Sequence, residues 1–202
     1  MAVISISRHF GSGGKTLGEM VAKKLNYTFV DNEVIQLVSI EAKVSAASID
    51  SHEMDTRGIF KRFVSKVTSK GLRSLTPSSD EEIIEEEIYV DLLEKIIRDI
   101  ADEGNAVIMG RGSQYFLKDY DDVYRILMVA NREDRVKFME KKYNLSRRDA
   151  AKAVNIDDLK RANLYRRLGK TDYDDHNPYH LVLNMSKVDM DKACELVCEL
   201  VE

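Results

Sequence analysis

Residues 8–16 read Arg8-His9-Phe10-Gly11-Ser12-Gly13-Gly14-Lys15-Thr16. They follow an apolar, strand-like run at residues 2–7 and precede a helical pattern of apolar residues at 16–25. A strand, a glycine-rich turn, a Lys-Thr pair and a helix together are the context of a phosphate-binding loop. Glycines let the backbone turn tightly and bring its N–H groups to phosphate oxygens, and the positive end of the helix faces the same anion. The stretch therefore predicts a site for a nucleotide phosphate.

The end of this stretch matches the pattern G-x-x-x-x-G-K-[ST], in which Lys15 reaches the β/γ-phosphates and the Thr16 hydroxyl ligates Mg²⁺. The match is incomplete, because His9 stands where the pattern begins with glycine. We expect Gly11 and Gly13 to supply the conformational freedom that residue 9 lacks. The alternative is a glycine-rich strand-to-helix turn followed by a solvated lysine.

Composition narrows the class of protein. The 202 residues suit a single domain, 1–202, and 44% apolar with 33% charged residues is typical of a soluble globular chain. A net charge of −4 argues against a dedicated nucleic-acid binder. The sequence shows no basic-then-apolar leader and no apolar run as long as a membrane span. We therefore expect a cytoplasmic protein without membrane or nucleic-acid partners, in which Cys194 and Cys198 are buried free thiols.

Strand and helix patterns alternate along the rest of the chain. Residues 44–80 are serine-rich and basic, and we interpret them as a helical insertion at the sheet edge. A turn at 144–151 carries Ser146 as a helix N-cap. Further strands are predicted at 27–30, 106–109, 123–130 and 180–184, and further helices at 33–42, 81–102, 131–142, 156–168 and 188–201. This alternation predicts an α/β fold of three layers, with a parallel sheet of about five strands between helices.

Polar side chains follow several of these strands. Asp31 comes directly after the second strand and Arg111 lies between two glycines after the third. Both are expected at the carboxyl edge of the sheet, where open α/β sheets bind ligands. The alternatives are that Asp31 only caps a helix and that Arg111 is a solvated loop residue. Asp158 and Arg161 are three apart on one helix face, so they either pair or act together on a ligand.

Six segments, taken in order, resemble the cytidylate kinase-like family of nucleoside monophosphate kinases. The phosphate loop alone is common to many kinases, whereas the order of all six is far more specific. The segments are residues 11–16, 29–31, 109–112, 130–135, 158–161 and 181–186. The resemblance implies a P-loop kinase fold with a monophosphate-binding helical insertion after strand 2, at residues 32–80, and a small helical lid in residues 136–160.

The resemblance also implies ATP and Mg²⁺ as cofactors. The ATP phosphates would be bound by residues of the loop, the magnesium by Thr16, and the adenine would lie near Ser186; the loop residues are Gly11, Ser12, Gly13, Gly14, Lys15 and Thr16. The acceptor nucleotide would be bound by Arg111, Asp158 and Arg161, with Asp31 and Arg132 added to this set. Asp158 would accept a hydrogen bond from the cytosine amino group, which uracil lacks.

The chain departs from the bacterial cytidylate kinases at two lid positions. Arginines that contact phosphates there are matched here by Val154 and by Phe138 or Met139. We therefore assign the catalytic positive charge to Lys15 and Arg161, with the lid arginines Arg147 and Arg148 as substitutes and Arg166 or Arg167 as alternatives.

These residues predict ATP-dependent phosphoryl transfer to a nucleoside monophosphate, with CMP or dCMP as the first choice. Such transfer needs in-line positioning and positive charge more than covalent chemistry from the protein. A kinase of another small molecule and a nucleotide-binding regulatory protein with little turnover are the alternatives. We expect small nucleotides as partners and a monomer or a weak homodimer.

Overall fold

The computed structural model describes residues 1–31, 81–170 and 175–201. The strands in these ranges are β1 (Val3–Arg8), β2 (Thr28–Val30), β3 (Ala106–Met109), β4 (Val123–Val129) and β5 (Leu181–Asn184). The helices are α1 (Gly14–Leu25), α2 (Glu81–Glu103), α3 (Ser113–Phe116), α4 (Arg132–Tyr143), α5 (Arg147–Arg167) and α6 (Met190–Val201). The helix predicted at 33–42 and the insertion at 32–80 lie outside the described residues.

The five strands form one parallel sheet in the order β2-β3-β1-β4-β5. The central strand is β1, in which Ile4 pairs with Val107 of β3 on one side and with Tyr124 of β4 on the other. Ligands of open parallel sheets bind outside the carboxyl ends of the strands. The loop that follows β1 therefore lies at the middle of the edge where a ligand is expected.

Helices cover both faces of the sheet, which confirms the predicted three-layer α/β arrangement. On one face, Leu93 and Ile97 of α2 belong to a buried cluster with strand residues such as Ile108. On the other face, residues of α1 and α6 pack on β1 and its neighbours, for example Leu17 and Val197 with Ile6, Met109 and Ile126. Cys194 and Cys198 are buried free thiols in this second cluster, as predicted.

A helical hairpin of α4 and α5 follows β4. Its apolar contact consists of Val136 and Met139 from α4 with Ala150 and Val154 from α5, and Phe10 of the phosphate loop packs against it. Asn144 ends α4 in the left-handed region, and the Ser146 hydroxyl caps α5 by accepting a hydrogen bond from the Asp149 N–H at 3.1 Å.

The predicted N-cap at Ser146 is confirmed, but the turn predicted over 144–151 and the helix start at 156 were wrong. The helix α5 runs without a break from Arg147 to Arg167. Residues 147–155 show a weak apolar pattern, yet Ala150 and Val154 are fully buried against α4. Tertiary packing therefore extends the helix where the local pattern did not indicate one.

None of the helices within the described ranges is both long and apolar enough to cross a membrane.

Candidate active site

The loop between β1 and α1 follows the tight path that its glycines allow. Gly11 and Gly13 have φ of 83° and 87°, in the left-handed region. A Cβ on Gly11 would lie 2.8 Å from the main-chain oxygen of Arg135, so a side chain does not fit there. His9 has an ordinary negative φ, and its N–H donates to the oxygen of Met128 at 2.9 Å, continuing the β1–β4 ladder. A glycine is therefore not required at position 9.

Lys15 and Asp31 form an ion pair at the carboxyl edge of the sheet. The Lys15 ammonium lies 2.9 Å from a carboxylate oxygen of Asp31, whose side chain is 16% exposed. Asp31 thus lies at the same edge as the phosphate loop, as the sequence predicted. The Thr16 hydroxyl and the Asp31 carboxylate are hard oxygen donors of the kind that Mg²⁺ uses beside phosphate oxygens. The residues at this edge fit a magnesium ion bound together with ATP.

A second glycine turn follows β3. Gly110, Arg111 and Gly112 all have positive φ, at 68°, 58° and 76°. A non-glycine residue such as Arg111 is held in this region at a cost of about 1–3 kcal/mol, which the surrounding structure must offset. The turn is held to β1, because the Gly110 N–H donates to the Ile6 oxygen at 2.9 Å. This strained turn keeps Arg111 at the wall of a cavity.

The cavity has a volume of about 480 Å³ and lies between this turn, the start of the phosphate loop and α5. Among the residues that the structure describes, its charged lining consists of four cations and one carboxylate, namely Arg8, Arg111, Lys160, Arg161 and Asp157, and the other side chains are Phe10, Leu164 and Tyr165. An excess of cations in a concave site attracts an anion, and the aromatic walls offer flat surfaces for a ring. The arrangement suits a small anionic molecule with a planar part.

Two neighbouring carboxylates on α5 have different environments. Asp157 lines the cavity, and burial raises the pKa of its carboxyl group against the opposing influence of Arg8 and Lys160. Asp158 instead accepts hydrogen bonds from Arg135 at 2.8 and 3.0 Å. The same nitrogen of Arg135 donates to the Phe10 oxygen at 3.3 Å, so this pair ties α5 to the phosphate loop. Of the predicted substrate carboxylates, the structure brings Asp31 to the edge and turns Asp158 towards Arg135.

Aromatic side chains pack against Arg161, one of the cations that line the cavity. The guanidinium of Arg161 lies 5.2 Å from the ring centre of Tyr165, and Tyr165 meets Tyr115 edge to face at 5.4 Å. The Tyr179 hydroxyl lies beside Ser7 and Tyr165, and burial raises its pKa. The guanidinium of Arg161 is thus packed against an aromatic ring. Both predicted cations, Arg111 and Arg161, line the cavity.

The predicted lid arginines lie elsewhere. Arg147 pairs with Glu133 of α4, and Arg148 is exposed in the first turn of α5. Arg132 donates a hydrogen bond to the Asn155 side chain at 3.1 Å. The two helices of the hairpin are joined by these surface contacts, and none of the three arginines lines the 480 Å³ cavity.

A second, smaller cleft of about 190 Å³ lies on the other side of the phosphate loop. It is lined by Gly11 and Ser12 of the loop and by apolar side chains that include Phe138, Met185 and Met190. Ser186 adjoins it in sequence, and its hydroxyl accepts a hydrogen bond from the Asn131 N–H at 2.8 Å, linking the loop after β5 to the start of α4. The two clefts therefore flank the phosphate loop.

Sequence reasoning did not single out Arg8 or Asp157. Arg8 is the first residue of the glycine-rich stretch, so the sequence indicates its position at the loop. The sequence does not indicate that its side chain extends into the cavity. Asp157 differs from Asp158 only by its rotation about α5. Tyr165 and Tyr179 come from distant parts of the chain, and no local pattern connects them with the loop.

The model of the cytidylate kinase-like family matches residues 3–187. No match was found among curated proteins.

Solved structures resemble the whole chain. An uncharacterized protein from Eubacterium ventriosum is 17% identical with a TM-score of 0.69, and the match covers 100% of this chain and 98% of that one. A shikimate kinase from Bacteroides thetaiotaomicron is 15% identical with a TM-score of 0.50, covering 99% and 98%. The protein TT1252 from Thermus thermophilus is 14% identical with a TM-score of 0.50, covering 99% and 95%. At these identities the likeness establishes a shared fold.

Proposed function

The chain belongs to the cytidylate kinase-like family, and from this premise we propose that it transfers the terminal phosphoryl group of ATP to a nucleoside monophosphate, CMP or dCMP before others. The observation that carries the proposal is the 480 Å³ cavity, which adjoins the phosphate loop and is lined, within the described part of the chain, by four cations, one carboxylate and two aromatic side chains. The cations match a phosphate, the aromatic side chains match a planar base, and the carboxylate matches a hydrogen-bond donor on that base.

The donor side is supported by the loop itself. Positive φ at Gly11 and Gly13 and the start of α1 at Gly14 create a concave backbone with N–H groups for the phosphates of ATP. The adenine would occupy the 190 Å³ cleft near Ser186. Magnesium, held by Thr16 and the phosphates, would neutralise charge on the transferring group.

For the acceptor, we assign its phosphate to Arg111 and Arg161, which share the cavity wall. Asp157 would accept a hydrogen bond from the amino group of cytosine, in the role that the resemblance gives to Asp158. Uracil presents a carbonyl oxygen at that position, which would leave the half-buried carboxylate without a donor. A pocket that leaves such a group unpaired can discriminate by about 10⁴-fold.

The first test is ADP production from ATP and Mg²⁺ with CMP, dCMP, UMP, AMP and GMP offered in parallel, and with shikimate as a hydroxyl acceptor. We expect turnover with CMP or dCMP, and a loss of at least about 100-fold in Lys15→Ala, because the lysine contacts the phosphates in the transition state. Turnover of a different acceptor would leave a small-molecule kinase with another substrate. ATP binding without turnover of any acceptor would favour a regulatory role and contradict the proposal.

A further inference from the structure

Arg8 ends β1 and leads into the phosphate loop, and its side chain lies across the start of α1. A Cβ added to Gly14 would lie 2.1 Å from Cδ of Arg8 and 3.2 Å from its Nε. From there the side chain reaches the wall of the 480 Å³ cavity. Arg8 therefore bridges the loop proposed for ATP and the cavity proposed for the acceptor.

The electrostatic surroundings of Arg8 point the same way. Among the described residues, no carboxylate lies within ion-pair distance of its guanidinium. The negative charges of Asp157, at the cavity, and of Asp31, beside Lys15, act on it only over a longer distance. Burial, the largest influence, lowers its pKa. Arginine nevertheless stays charged in proteins, and a largely buried charge without a close partner is unfavourable. A bound anion at this position would offset that cost.

Three arginines of the hairpin have other partners. Arg135 is bound to Asp158, Arg147 to Glu133 and Arg132 to Asn155. The two positions at which the resembled kinases have lid arginines are filled by Val154 and by Phe138 or Met139. Val154 and Met139 are buried in the α4–α5 contact, and Phe138 packs against it, partly buried. The α4–α5 hairpin therefore does not direct an arginine to the phosphates from either of the two positions.

We propose that Arg8 is a catalytic residue that binds the phosphoryl group in transit, supplying from the phosphate loop the positive charge that Val154 and Phe138 or Met139 do not supply. This inference rests on the proposed phosphotransferase function. An oxygen of the acceptor phosphate forms a bond to the terminal phosphorus of ATP, and the bond from that phosphorus to the bridging oxygen breaks. The electron pair leaves with ADP, and no proton moves, since the acceptor oxygen is already deprotonated. Arg8 stabilises the charge that is spread over the transferring oxygens.

The test compares Arg8→Met, which keeps the length without the charge, with Arg8→Lys, which keeps a charge without the planar fork. Arg98→Met is the matched control, because Arg98 lies on α2 in an ion pair with Glu94. We expect kcat to fall about 10²- to 10³-fold in Arg8→Met with KM for CMP changed only a few-fold, partial recovery in Arg8→Lys, and no change in the control. A kcat within threefold of the wild type in Arg8→Met overturns the proposal.

Two further measurements separate a catalytic role from a structural one. Calorimetric titration with ATP and with ADP, each with Mg²⁺, needs no acceptor; the wild type should prefer ATP, and Arg8→Met should lose that preference. Thermal unfolding without ligand should show Arg8→Met at least as stable as the wild type, because a buried charge is removed. An unchanged ATP preference, or a lowered Tm that accounts for the lost activity, overturns the proposal. If the wild type turns over no acceptor, the proposed function fails, and the ATP preference alone still decides the role of Arg8.

Discussion

Asp157 and Asp158 are adjacent in the chain, but their carboxylates serve different parts of the molecule. Successive residues of an α-helix point about 100° apart, so two neighbouring side chains can meet different surroundings. Asp157 faces the cations of the cavity, and Asp158 is held by Arg135, which is only 7% exposed. We thus assign nucleotide specificity to Asp157 and the positioning of the phosphate loop to Asp158.

This assignment predicts opposite results for two isosteric substitutions. Asp157→Asn should reduce kcat/KM for CMP at least about 10-fold and narrow its advantage over UMP, because the amide no longer offers a charged acceptor to the cytosine amino group. Asp158→Asn should leave the CMP/UMP ratio unchanged and lower stability instead, since it weakens the bond to a buried arginine. The measurement is kcat/KM for both nucleotides together with urea unfolding. A changed CMP/UMP ratio in Asp158→Asn alone would show that the resemblance assigned the role correctly.

At the scale of elements, the α4–α5 hairpin is held by apolar packing against the phosphate loop. Val154 is fully buried, and Phe10 of the loop packs against the same cluster. The hydrogen bond from Arg135 to the Phe10 oxygen adds a polar contact at this point. The start of the hairpin is therefore coupled to the loop that is proposed to bind ATP.

Val154→Ala should lower the free energy of unfolding by about 1–3 kcal/mol, because it leaves a cavity between the two helices. Leu159→Ala on the same helix is the control: its side chain is 65% exposed, and the expected change is within about 0.5 kcal/mol. Urea denaturation monitored by circular dichroism measures both. Equal effects of the two substitutions would mean that the hairpin contact contributes little to stability.

At the scale of the whole molecule, His180 lies directly before β5 and adds hydrogen bonds to Arg125 at the start of the β4–β5 pairing. The imidazole Nδ1 of His180 accepts a hydrogen bond from the main-chain N–H of Arg125 at 2.9 Å. The main-chain N–H of His180 donates to the Arg125 oxygen at 2.8 Å. Burial, and then the charge of Arg125, lower the pKa of His180 below its usual value. The neutral ring is the form that can accept this hydrogen bond.

The pH dependence of stability follows from this lowered pKa. In the unfolded chain His180 binds its proton near pH 6.5, whereas the folded protein binds it only at lower pH, so its contribution is present above about 6.5 and declines as the pH falls. His180→Asn keeps an acceptor that does not titrate in this range. We expect the free energy of unfolding to fall less between pH 7.5 and 5.5 in this variant than in the wild type. An identical pH profile of the two proteins would show that His180 does not contribute to the loss of stability at acidic pH.

The sequence by itself determined the α/β class, the strands and the phosphate loop, because these depend on local patterns. Apolar runs define buried parallel strands, and glycines with Lys15 and Thr16 define a loop whose geometry is set within a few residues. The position of Asp31 at the carboxyl edge followed in the same way from its place directly after the second strand. Local pattern was insufficient at α5, where the first two turns depend on burial against α4.

Only the tertiary structure decided which charged side chains share the 480 Å³ cavity. Arg8, Arg111 and Asp157 come from three separate elements, and their meeting depends on how the sheet and the hairpin pack. The rotation of α5 is set by Ala150 and Val154 against α4, and that rotation selects Asp157 over Asp158. Neighbouring residues on a helix have the same local pattern, so contacts between distant segments are needed to tell them apart.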